Sequence, residues 1–146
     1  MEDKNNYKRP ESVLVIVHTK TGYVLVMRRA NPDDFWQSVT GSLEWGEQAF
    51  DAAVRELKEE TGLDGTGMVD CNFSQEFEIY SMWRQRYQPG VTHNIEHVFT
   101  LELEDCRDIQ IDPREHIEYR WLPRDEAIAQ ASSHTNRHAI VRWVPR

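Results

Sequence analysis

The sequence predicts a single α/β (α+β) domain over residues 1–146, built as a mixed β-sheet with helices on both faces. Three observations carry this. At 146 residues, 39% hydrophobic and 29% charged, the chain has an ordinary globular composition and is long enough to bury about 68–70% of its unfolded surface. Strand-like and helix-like segments interleave without the regular βαβ rhythm of a parallel sheet. One central stretch carries Phe50, Ala53, Val54 and Leu57 at helical spacing, which marks an amphipathic helix with one face to bury. No linker, low-complexity tract or internal repeat interrupts the chain.

Residues 12–19 (SVLVIVHT) form an apolar run of strand length, and Lys20-Thr21-Gly22 turns the chain into a second strand over 23–28. Asn31-Pro32 marks a loop. The central helix spans about 48–61 and ends at Gly62, the residue type that accepts a left-handed cap. Residues 75–86 are rich in aromatic and β-branched side chains and suit a long strand, closed by the turn Gln88-Pro89-Gly90. In 94–103, Ile95, His97, Phe99, Leu101 and Leu103 alternate with Glu96, Val98, Thr100 and Glu102, the pattern of a strand buried on the first set. A short strand over 116–122 follows. Residues 123–131 open with proline and acids and continue with alanines, as a helix should, and a last helix is expected over 136–144.

The chemistry is concentrated in residues 41–63, GSLEWGEQAFDAAVRELKEETGL. They fit the pattern G-x5-E-x7-R-E-U-x-E-E-x-G-U, U being bulky and apolar, at Gly41, Glu47, Arg55, Glu56, Leu57, Glu59, Glu60, Gly62 and Leu63. On a helix, Glu56, Glu59 and Glu60 share a stripe beside the apolar one. Like charges at i, i+3 and i+4 each cost about 0.2–0.5 kcal/mol. They also crowd the C-terminal turn, where the macrodipole disfavours anions by about 0.3–1 kcal/mol each. A merely solvated acidic face does not explain acids gathered at the wrong helix end beside the buried stripe. A site for a hard divalent cation does.

This segment is the signature of the Nudix hydrolases, and the chain resembles that family. The resemblance implies an α/β/α sandwich with the signature helix packed on the sheet, and a metal-dependent enzyme that cleaves a phosphoanhydride. It implies Mg²⁺, with Mn²⁺ able to substitute, held by Glu56, Glu60 and the Gly41 carbonyl. Glu59 is then a further ligand or the base acting on water. Arg55 and Glu47 brace the loop–helix–loop, Arg55 acting within the catalytic group. One more acid is expected from outside the signature. Glu115 is favoured, on a loop before a strand, ahead of Glu96 and Glu118.

A closer resemblance extends over almost the full length, carried by Tyr7-Lys8-Arg9-Pro10, residues 33–41 (DDFWQSVTG), Phe77-Glu78-Ile79-Tyr80-Ser81, residues 86–92 (RYQPGVT), Trp121-Leu122 and Asn136-Arg137. It points to the branch of the family that acts on a pterin triphosphate in folate biosynthesis. The implied reaction is hydrolysis of 7,8-dihydroneopterin triphosphate to dihydroneopterin monophosphate and pyrophosphate. The implied substrate residues are Lys8 and Arg29 for phosphate or pterin edges, Thr40 beside Gly41, Phe77, Glu78, Ile79 and Tyr80 as one wall of the base pocket, and Ser133 from the last loop. Phe77 and Ile79 could equally be sheet core, and Lys8 and Arg29 solvated surface. A nucleotide-sanitising (d)NTP diphosphatase shares fold and mechanism and differs only in that pocket. A Nudix-fold binding module without catalysis would have no use for three carboxylates that repel one another.

The net charge of −8 disfavours nonspecific nucleic-acid binding, so the expected partner is a small-molecule pterin or nucleoside triphosphate. The longest aliphatic run, residues 13–17, is far short of a membrane span. Cys71 and Cys106 read as two unremarkable thiols. The expectation is a cytoplasmic monomer.

Overall fold

A computed structural model describes residues 6–146 of the protein. Its strands are β1 (Glu11–Thr19), β2 (Tyr23–Arg29), β3 (Trp36–Gln37), β4 (Val39–Ser42), β5 (Val69–Glu78), β6 (His93–Leu103) and β7 (His116–Pro123). Its helices are α1 (Ala49–Thr61), α2 (Arg124–Gln130) and α3 (His134–Trp143). One mixed sheet holds all seven strands. β1 lies at its centre and pairs in parallel with β6 along its whole length, from Glu11↔Ile95 to Thr19↔Leu103. β5 continues the sheet antiparallel to β6, and β7 pairs with β2.

On its other side β1 has two partners. β2 meets it at His18↔Val24, and β4 covers Ser12 to Val15. The segment 36–42 bridges the gap, pairing first with β2 as β3 and then with β1 as β4. Ser38 stands at the crossing. Its N–H donates to Asn136 Oδ1 at 2.8 Å, and Asn136 Nδ2 donates to its Oγ at 3.0 Å, so a buried amide from α3 satisfies backbone that the sheet cannot.

Both sheet faces are roofed, as the sequence implied. Val13, Val15 and Val17 of β1 point to one side, with Phe99 and Leu101, and α1 packs there through Ala52, Ala53 and Leu57. Leu14 and Ile16 point to the other, where Ala127 of α2 and Ala139 and Ile140 of α3 close a second cluster. A strand covered on both sides has no polar face, which is why residues 13–17 read as an unbroken apolar run.

Four local expectations are corrected. The long strand expected over 75–86 is instead β5, which starts six residues earlier, followed by a 3₁₀ turn at Ser81–Arg86. A bulge between Asp70 and Phe73, with Asn72 at φ 51°, hides the alternation of its first half. Tyr80 and Trp83 then leave the sheet to pack on Phe35. Phe50, expected in the buried stripe of α1, is half exposed, because the stripe is centred on Ala52, Ala53 and Leu57 and carries Glu60 inward. In the first half of β6 the buried residues are Asn94 and Glu96, with Ile95 44% exposed. Finally, α3 begins at His134, with Ser133 as its N-cap accepting from Asn136 N–H at 3.1 Å.

Candidate active site

The signature residues form a loop, helix and loop fixed by one arginine. Arg55 on α1 grips Glu47 with two bonds (Nε to Oε2, 3.0 Å; Nη2 to Oε1, 2.9 Å), reaches Glu56 Oε1 at 2.8 Å and donates to the Ser42 carbonyl at 3.2 Å. A planar guanidinium matches a carboxylate in this forked way. Glu47 first, then Glu56, holds the Arg55 pKa above its ordinary value, and the same contact pulls Glu47 down. Gly62 ends the helix at φ 79°, its N–H on the Lys58 carbonyl at 2.9 Å.

This brace aims Glu56 and Glu60 into a cleft of about 1410 Å³. Glu60 is 4% exposed, and among the described residues nothing donates to either of its carboxylate oxygens. Burial, then the adjacent Glu56, pushes the Glu60 carboxyl well above the ordinary range; burial does the same, less strongly, to Glu56. Gly41 on β4 faces the pair so closely that a Cβ there would collide with the Glu56 carboxylate. Two crowded acids, one of them with both oxygens orphaned, beside backbone that only glycine permits, form a donor set of hard oxygens that fits a divalent cation. Glu59 stays outside this pair, its side chain 58% exposed and 3.5 Å from Arg55. Among the described residues no three His, Cys, Asp or Glu side chains close on a single point.

The three candidates for the acid expected from outside the signature sit in three different surroundings. Glu115 lies on the loop before β7, lines the cleft and is close enough to Glu60 to add to its repulsion. Glu118 faces away, paired with Arg120 at 2.7 Å and Arg28 at 3.4 Å. Glu96 lines the cleft among a different set of neighbours, Gln75 and Thr135.

Cations share the cleft with these acids. Lys8 and Arg29 both line the cleft, and burial lowers the pKa of each. Arg86 crowds both, while Glu56 and Glu115 favour the charged Lys8. Lys8 is held there by its N–H on the Arg86 carbonyl (2.8 Å) and by Trp45 Nε1 on the Tyr7 carbonyl (2.9 Å). Both therefore border the cleft, Arg29 half-buried and Lys8 still open to solvent. Arg86 was not foreseen, since it was read as the end of a strand.

The remaining expected residues also line this cleft: Thr40, Phe77, Glu78, Ile79, Tyr80 and Ser133. Ile79 is buried yet belongs to neither core cluster, so it is cleft wall and not sheet core. Glu78 is exposed and pairs with Arg84 at 3.1 Å. Thr40 donates its hydroxyl to the Val13 carbonyl at 2.9 Å, and Ser133 Oγ caps α3, so both offer a ligand less than a free hydroxyl would. Tyr80, Trp83 and Phe35 meet edge to face with centroids 5.4–5.7 Å apart, and Arg29 lies 4.7 Å over the Trp83 ring. Phe35 and Trp83 were missed because the contact joins residues far apart in sequence.

Three comparisons bear on this site. Residues 8–144 match the model of the NUDIX domain. The chain is 46% identical to the dihydroneopterin triphosphate diphosphatase of Escherichia coli, over 99% of this chain and 97% of that protein. It is 40% identical to the Haemophilus influenzae protein of the same name, over 94% and 89%. Among solved structures, the E. coli dihydroneopterin triphosphate pyrophosphohydrolase superposes with a TM-score of 0.89, covering 94% of this chain and 97% of that one.

Proposed function

The chain belongs to the NUDIX family, and from that premise we propose that it hydrolyses 7,8-dihydroneopterin triphosphate to dihydroneopterin monophosphate and pyrophosphate. The observation that carries this reading is one cleft lined both by charged groups and by apolar and aromatic ones. Glu56, Glu60 and Glu115 lie within electrostatic reach of Lys8 or Arg29, as a metal–triphosphate complex requires. Ile79, Tyr80 and Phe77 line the same cleft, as a flat heterocycle requires. The near-full-length likeness to two dihydroneopterin triphosphate diphosphatases supports the choice of ring.

A divalent metal serves this family, here Mg²⁺ with Mn²⁺ as a substitute, and Glu56, Glu60 and the Gly41 carbonyl are the groups that would hold it, with Glu59 and Glu115 at its margin. Once bound, it neutralises the polyphosphate and lowers the pKa of a water. The protein's residues supply the rest. Lys8 and Arg29 hold the phosphate chain and balance charge that builds on the leaving pyrophosphate. Glu59 and Glu115 are the two acids placed to take a proton from the attacking water. Arg55 is a positioning residue, since every bond it makes is to the protein's own acids and carbonyls. Its grip keeps Glu56 in line and limits the reorganisation needed at each turnover.

Residues 1–146 are read as one domain working as a monomer on a small molecule and not on nucleic acid. The net charge of −8 supports this, as does the origin of the exposed large apolar side chains from separate elements. No described helix is long and apolar enough to cross a membrane, and both cysteines are free thiols, which supports a reducing, cytoplasmic setting.

Parallel kinetics on dihydroneopterin triphosphate, dGTP and ATP with Mg²⁺ test the reading. The pterin should have the highest kcat/KM, with the widest margin over ATP. A (d)NTP turned over more efficiently than the pterin would replace this reading with a nucleotide-sanitising one.

A further inference from the structure

We propose that Glu96, with Asn94 beside it, is the specificity-determining acceptor pair that reads the ring of the substrate through its amino and ring N–H donor edge. The two residues lie on the same face of β6, 5% and 1% exposed, and both line the cleft. Asn94 Nδ2 is committed to Ser12 Oγ at 2.7 Å, whereas its Oδ1 is buried without a donor among the described residues. Glu96 accepts from Gln75 Nε2 at 3.1 Å and is steadied by the Thr135 side chain. A carboxylate has about four lone-pair positions, so these neighbours leave acceptor capacity directed at the cleft.

A buried carboxylate is costly to keep unless charges or donors meet it. Among the described residues Glu96 makes no ion pair, and burial pushes its carboxyl up to about 7. A Gln or Ser could make the same structural bonds to Gln75 and Thr135 at less cost, so the position is explained by a ligand that supplies donors. Glu96 does not figure among the principal groups that perturb Glu56 or Glu60, whereas its charge acts on Tyr80 in the cleft wall. It therefore belongs with the ring-binding residues and not with the acid pair.

The ligand chemistry follows from the acceptors. A pterin, like guanine, presents an exocyclic NH₂ and a neighbouring ring N–H side by side, the fork that two carboxylate oxygens accept. Adenine offers a ring nitrogen lone pair at the corresponding place and would face the carboxylate with repulsion. The inference deepens the pterin triphosphate reading and takes the ring from it, but guanine carries the same edge and tests Glu96 separately.

The test is steady-state kinetics of the full chain with Mg²⁺ on dihydroneopterin triphosphate, dGTP and dATP, for wild type, Glu96→Gln and Glu96→Asp. Glu96→Gln should lower kcat/KM about 10–100-fold for the pterin and for dGTP, mainly through KM. dATP should change less or improve, so the dGTP:dATP ratio falls at least about tenfold. Glu96→Asp, which keeps the charge, should retain more of that ratio, and thermal unfolding of each variant reports that the fold is kept. Equal losses on all three substrates, or an unchanged ratio, overturn the role of Glu96 while a wild-type preference for the pterin leaves the functional reading standing. A wild type that prefers dGTP to the pterin, with the ratio lost in Glu96→Gln, sinks the pterin reading and supports Glu96.

Discussion

Glu60→Gln isolates the cost of the empty acid pair from its use. Both Glu60 oxygens are buried without a donor, and Glu56 stands beside them. An unmet buried polar group costs about 1–3 kcal/mol, and more when charged. Glutamine removes the charge and can donate its amide to Glu56, so the metal-free variant should be more stable at pH 8 by about 1–3 kcal/mol. At about 2–4 °C per kcal/mol for a chain of this size, its Tm should rise by about 2–12 °C. Turnover should move the opposite way. Loss of a ligand charge should lower kcat at least about 10²–10³-fold, several kcal/mol of transition-state stabilisation at about 1.36 kcal/mol per tenfold. Differential scanning fluorimetry with and without Mg²⁺ reads both sides at once. Wild type should gain about 2.7 kcal/mol at 100 times the dissociation constant, and the variant should gain little. A variant less stable than wild type without metal, or one with near-wild-type kcat, would refute the reasoning.

Glu115→Ala should lower kcat strongly with a smaller change in KM, while Glu118→Ala, whose side chain is paired on the far side of β7 with Arg120 and Arg28, should stay close to wild type; the reverse order would move the acid's role off the loop. Chelation should abolish activity, Mg²⁺ or Mn²⁺ should restore it, and phosphate analysis should find pyrophosphate first, orthophosphate as first product contradicting attack within the chain. Because the folded Glu96 keeps its proton up to about 7 against an ordinary 4.5, the protein is free of its burial penalty below the unfolded value and loses stability as pH rises through 7. The distance from 4.5 to about 7, at about 1.36 kcal/mol per unit, sets an upper bound of about 3–4 kcal/mol on this loss. Urea unfolding of wild type and Glu96→Gln from pH 5 to 8 should show the variant gaining on wild type across that window, and parallel curves would rule the burial argument out.

The signature, the two-sided burial of β1 and the helices were all legible, because each rests on spacing within one segment. What the sequence hid depends on segments far apart. β3 and β4, two and four residues long, exist only because β2 and β1 lie where they do. Alternation in β6 revealed that two sets of residues face opposite ways, but not which set is roofed. At Phe99 and Leu101 the covered side belongs to α1, whereas at Asn94 and Glu96 burial comes from the wall of the cleft. A polar residue there looks like a solvent-facing one until the fold is seen. Arg86 and Trp83 were missed because a 3₁₀ turn inside an aromatic-rich stretch carries no local mark against a strand, and Phe35 because its aromatic partners lie about 45 residues away.

The parallel pairing of β1 with β6 also governs when the molecule can exist. The two strands that form the middle of the sheet are about 84 residues apart in the chain, so neither core cluster can close during synthesis until Leu103 has emerged. Until then the apolar run of β1 has only β2, β4 and α1 to shelter against, and its second face has no helix to cover it. Long-range pairing of this kind slows folding and prolongs exposure of sticky surface. A nascent chain stalled before β6 would thus be a client for chaperones rather than a small folded intermediate.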